Sequence, residues 1–169
     1  HQSGRRQRQM CIRDSDDIRI SCCENTHYRP EDQFGKQGPI SLSYRFDAPD
    51  RSMVFTGDTG PCLALEEFAK NADLLVGELF DTELVINRLR ATNPDMSDHA
   101  LLQMRQHFDE HHLTPEDLGQ LASRAGVKKV VAVHIPFITK SAEEDAKYVS
   151  RILAKFSGSV TISEDLAAY

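Results

Sequence analysis

A helix closed at both ends and followed by four apolar strand formers restricts this chain more than any other stretch. Thr114 precedes Pro115-Glu116-Asp117, an N-cap followed by a proline at the first helical position and acids in the first turn. Leu118, Leu121, Ala122 and Ala125 form the buried face, and Gly126 supplies the C-terminal stop. Val130-Val131-Ala132-Val133 then reads as a buried strand ending on His134. A helix delivered straight into a buried strand belongs to layered α/β domains.

The remaining pattern extends this reading. Residues 18–24, 40–46 and 52–55 have strand character, with Ala48-Pro49-Asp50-Arg51 as a hairpin turn and a loop from Asn25 running through Gly35 and Gly38. The period then changes: Leu63, Leu65, Phe68 and Ala69 suit a short amphipathic helix. Residues 73–80 suit a buried strand, and residues 81–91 and 98–110 two helices. Tyr148, Val149, Ile152, Leu153 and Phe156 mark a last helix before a short strand at 160–162. The expected fold is α/β, a mixed β-sheet with flanking helices.

Composition sets limits on partners. At 169 residues, 40% hydrophobic and 27% charged, the chain suits one soluble domain, with no apolar run near the roughly 18 residues of a membrane span. The compartment is undecided, with the cytoplasm as default. Residues 1–15 stand apart, with four arginines against one acid, and Met10-Cys11-Ile12-Arg13-Asp14-Ser15 matches one translation frame of a common sequencing-library adapter. We expect residues 1–15 to be a non-native basic head and the natural sequence to begin near Asp16. The whole chain has a net charge of −6 despite that head, which disfavours a broadly basic nucleic-acid surface. Cys22 and Cys23 are adjacent on a strand and Cys62 is isolated, so the thiols read as reduced small hydrophobes.

Three residues share one structural setting. His27 lies just past one strand, Asp58 sits on the glycine-flanked turn Gly57-Asp58-Thr59-Gly60 past another, and His134 stands at the tip of a third. Ligands in α/β domains gather beyond strand ends, and imidazole with carboxylate suits zinc and related divalent ions that activate water. The competing reading is a non-catalytic α/β binding or regulatory module with structural histidines.

Asn25-Thr26-His27-Tyr28, Phe55-Thr56-Gly57-Asp58-Thr59-Gly60 and His111-His112-Leu113-Thr114-Pro115-Glu116 leading to His134 resemble, in this order, a metallo-β-lactamase-fold hydrolase. The closest likeness is to the branch of tRNase Z and arylsulfatase-like enzymes. The resemblance covers residues 16–169 and implies the C-terminal half of an αββα sandwich. It implies His27 on one metal, His134 on a second and Asp58 bridging both. The ions it implies are two Zn²⁺, with Mn²⁺ or Fe as alternatives. His112 takes the place of a catalytic histidine that donates a proton to the leaving group.

The family's His-x-His-x-Asp-His motif is absent. His107-Phe108-Asp109-Glu110-His111-His112 does not replace it, because on a helix Asp109 points away from the face shared by His107 and His111; His107 and His99 read as solvated. The resemblance therefore implies an enzyme as the parent protein and an incomplete, weak or inactive centre in this chain alone. An ester, sulfate or phosphodiester is the expected substrate, a small molecule favoured over RNA on charge. A bare inner sheet face would favour a homodimer.

Overall fold

The computed structural model describes residues 10–15, by backbone alone, and residues 17–28, 39–136 and 141–169. The loop through Gly35 and Gly38 and the first nine residues lie outside these. The strands are β1 (Met10–Ser15), β2 (Ile18–Glu24), β3 (Leu42–Asp47), β4 (Ser52–Phe55), β5 (Leu74–Glu78), β6 (Lys129–Val133) and β7 (Ser159–Ile162). The helices are α1 (Leu63–Phe68), α2 (Thr82–Thr92), α3 (Asp98–His111), α4 (Pro115–Ala125) and α5 (Ala142–Leu153). None of the described helices is long and apolar enough to cross a membrane.

The seven strands among the described residues form one sheet whose spatial order is their chain order. β1 through β4 pair antiparallel, and β4 through β7 pair parallel. The mixed sheet follows from the connections: a tight turn joins β3 to β4, whereas helices carry the chain back between the parallel strands. Because β2 runs in the direction of β4, the C-terminal ends of β2, β4, β5 and β6 all face one edge.

Side-chain alternation divides the sheet into two faces. Val54, Leu75, Val130 and Ala132 are buried with Leu65, Leu118, Leu121, Tyr148 and Ile152 from α1, α4 and α5 in the main core. On the opposite face, register places Tyr44 beside Phe55 and Phe46 beside Met53; Tyr44 and Phe55 are exposed. α2 and α3 pack on each other, joined by the two-pronged ion pair of Arg105 with Glu83.

The capped helix forms as its sequence specifies. Thr114 and Asp117 complete a reciprocal capping box, and Gly126 ends α4 in the left-handed conformation at φ 66°. Three packing expectations differ, the first being Leu153, which is exposed although the sequence reads it with Tyr148 and Ile152 on one face of the last helix. Leu63 is exposed because it sits in the first turn of α1 on the side away from Leu65. Phe156 lies beyond the end of α5, yet it is buried and its N–H donates to Ile152 O. Cys22, Cys23 and Cys62 are buried, outside any disulfide, and burial pushes the Cys23 thiol up to about 12.

Asp73 secures the start of the parallel strands. It accepts from Ser52 N–H at 2.7 Å, Ser52 Oγ at 3.0 Å and Lys128 Nζ at 2.6 Å. The Lys128 hydrogen bond, then those from Ser52, lowers its pKa from 3.8 to about 2. A depressed carboxylate pKa contributes stability above the unfolded value and loses it as pH falls through the folded value. Asp73→Asn should therefore melt lower than the parent protein at pH 7, with the gap closing between about pH 4 and pH 2. A pH series of thermal melts checks this; a gap that persists to pH 2 counts against it.

Candidate metal centre

His27, Asp58, His112 and His134 meet at the common strand edge, each through a different local device. Asn25 fixes the end of β2: its buried amide donates to Ser43 Oγ at 3.2 Å and Thr56 O at 3.0 Å. Its Oδ1 accepts from His27 N–H at 3.1 Å, so the residue that lashes β2 to β4 also orients His27.

Asp58 follows Gly57, whose φ of 61° turns the chain sharply out of β4. Gly60 closes the same turn against α3: a Cβ there would lie 1.9 Å from Glu110 O, so no larger residue fits. Thr56 and Thr59, both fully buried, anchor the turn between these glycines. Thr56 Oγ1 donates to Gly57 O at 2.7 Å and accepts from Glu78 N–H at 3.1 Å.

Glu78, at the end of β5, is only 1% exposed. Its Oε1 accepts from Thr59 N–H at 2.5 Å and its Oε2 lies 2.8 Å from His112 Nδ1. A carboxylate so deeply buried is sustained only by such partners. His112 also stacks on Phe80, with ring centroids 4.4 Å apart and planes 19° apart. Glu78, Phe80 and the turn of Asp58 thus position one imidazole.

One donor atom each from His27, Asp58 and His112 lie within 4.8 Å of one another. His134 joins this group through Asp58, its Nε2 lying 3.6 Å from Asp58 Oδ2. Its φ of 53° is uncommon for a residue with a side chain and turns it out of β6 into this edge. Asp58 and His134 keep 37% and 64% of their side chains exposed, leaving this part of the edge accessible. The donor types and mutual spacing of His27, Asp58 and His112, with His134 beside Asp58, fit the donor chemistry of zinc.

The structure brings His27, Asp58, His112 and His134 together at this edge, along with Glu78 and His111, which the sequence pattern did not single out. Glu78 was legible as an acid inside the apolar run Leu74 to Phe80, where burial without a partner is costly. His111 gave no signal beyond its adjacency to His112. His107 and His99 are exposed, and the His107 ring lies 4.4 Å from that of His111.

Residues 5–135 match the model of the beta-lactamase superfamily domain. The chain belongs to that superfamily. Among curated members, ribonuclease Z of Mycobacterium avium is 30% identical over 127 residues, covering 75% of this chain and 40% of the relative. Ribonuclease Z of Ignicoccus hospitalis is 34% identical over 91 residues, covering 54% of this chain and 24% of the relative. The chain thus spans at most about 40% of the length of these two superfamily members.

Solved superfamily structures share the fold. The metallo-beta-lactamase fold protein YhfI of Bacillus subtilis superposes with a TM-score of 0.61 at 16% identity, over 93% of this chain and 49% of its own. Human tRNase Z, short form, gives 0.55 at 15% identity, over 94% and 45%.

Glu78→Ala leaves Thr59 N–H and His112 Nδ1 without their acceptor. The expected cost is about 1–3 kcal/mol of unfolding free energy, the penalty for stranding buried polar groups. Denaturant titration measures it, and an unchanged midpoint argues against a shared anchor.

Proposed function

We propose that this chain carries the metal-binding part of a metal-dependent hydrolase acting on phosphodiesters, with RNA as the substrate class. The observation that carries the reading is the place of Asp58, within donor spacing of His27 and His112 and 3.6 Å from His134. In this reading His27, Asp58 and His134 would contribute to holding the two divalent ions. Zinc suits these donors best, with Mn²⁺ or iron as other occupants. A bound metal supplies Lewis acidity toward a phosphoryl oxygen and lowers the pKa of water.

The protein's own contribution centres on His112. Its Nδ1–H donates to Glu78, which fixes the tautomer and the ring orientation. Nε2 is then the atom that delivers a proton to the leaving oxygen, while the stack on Phe80 holds the ring plane.

Net charge favours a small ester or sulfate, whereas the curated relatives bear the name ribonuclease Z. The relatives weigh more, because attraction of a polyanion depends on local charge and not on the net value. The chain's share of its relatives' length also supports reading it as part of a longer protein, whose other segments add metal donors.

The test uses the zinc-loaded protein from the complete reading frame, with an RNA oligonucleotide, bis(p-nitrophenyl) phosphate and an aryl sulfate as substrates. Asp58→Ala should abolish metal uptake and hydrolysis together; retained metal with unchanged turnover overturns the proposal. His112→Ala should keep its metal and lose about 10²–10⁴-fold in kcat. Loss of metal in that variant makes His112 a ligand and not the proton donor.

A further inference from the structure

His111 has no part in the chemistry proposed above, yet it is only 5% exposed. Its Nδ1 lies 2.6 Å from the carbonyl oxygen of His27, and its own carbonyl oxygen lies 3.1 Å from His27 Nδ1. A carbonyl can only accept, so both Nδ1 atoms carry protons and both donate. The two bonds close a reciprocal pair between segments 84 residues apart in sequence.

This pair has a chemical consequence. With Nδ1 of His27 committed as a donor, its lone pair resides on Nε2, the nitrogen left for a metal. The His111 side chain holds the backbone of His27 in place, so that the His27 ring in turn meets the His111 carbonyl. Two further contacts make the end of α3 a firm base for this. Gly60 abuts Glu110 O, so the turn of Asp58 is pressed against the same helix end. The His107 ring, one helical turn earlier, packs on the His111 ring at 4.4 Å.

We infer that His111 is a positioning residue that sets the tautomer of His27 and holds it in register with Asp58. The inference rests on the reading of His27 as a metal ligand. It assigns the first histidine of the His111-His112 pair a task distinct from that of the second. His112 is oriented by the carboxylate of Glu78, whereas His27 is oriented by the backbone and side chain of His111.

The test compares His111→Leu, which cannot donate, with His111→Asn, whose amide N–H can take the place of Nδ1–H. Both are made in the protein from the complete reading frame. Zinc affinity, measured by chelator competition, should fall about 10–100-fold in His111→Leu, as when an outer hydrogen-bond partner of a ligand is removed, and stay within about threefold in His111→Asn. Nitrogen-15 NMR of the metal-free protein should show His27 as a single Nδ1–H tautomer in the parent and in His111→Asn. In His111→Leu the two tautomers should be mixed.

A parent protein with His27 in the Nε2–H form overturns the inference without any variant. So does an unchanged His27 tautomer in His111→Leu, whatever the zinc affinity. Zinc affinity unaffected by His27→Ala overturns the ligand assignment instead, and the metal-free spectra still decide whether His111 sets the tautomer.

Discussion

The two oxygens of Glu78 hold two separate parts of the site, and most of its geometry follows from that. One accepts from the Thr59 N–H beside Asp58, and the other holds Nδ1 of His112. The carboxylate lies at the end of β5, flanked by the end of β4 and the end of β6 in a parallel sheet. Its burial makes these partners obligatory, since an unpaired charge at this depth has no water to turn to. The carboxylate therefore works as a gauge, keeping the turn of Asp58 and the start of the His112 segment at a fixed separation.

The same economy appears at the other histidine. Asn25 joins β2 to β4 and orients the His27 backbone, while the end of α3 receives the His27 ring. Each candidate ligand is thus held by groups already engaged in joining strands or docking helices. Because the supporting bonds belong to the fold, the site is ordered to the extent that the sheet edge is ordered.

Local chemistry was easy to read from the sequence. Ser52–Phe55 falls where its apolar run and the following glycine place it, and the cap residues Thr114 and Gly126 bound α4 as they stand. Asp58 and His134 were legible because strand ends in α/β sheets collect ligands. The pairing of Glu78 with His112 and of His111 with His27 was not, since these partners are 34 and 84 residues apart and no local period connects them. Leu63 misled for a related reason: periodicity counts apolar residues on a face without knowing where a six-residue helix turns toward the core.

The strand order has a consequence for assembly. Each strand pairs with its chain neighbours, so the sheet can grow by successive additions without waiting for the two ends of the chain to find one another. The four clustered residues come from widely spaced points along that growth, His27 after β2 and His134 after β6. Pairing proceeds stepwise, but the donors converge only when nearly all of it is done. In the proposed reading, a metal ion would therefore meet these residues together only late in folding, and its capture would reward a finished sheet more than guide an unfinished one.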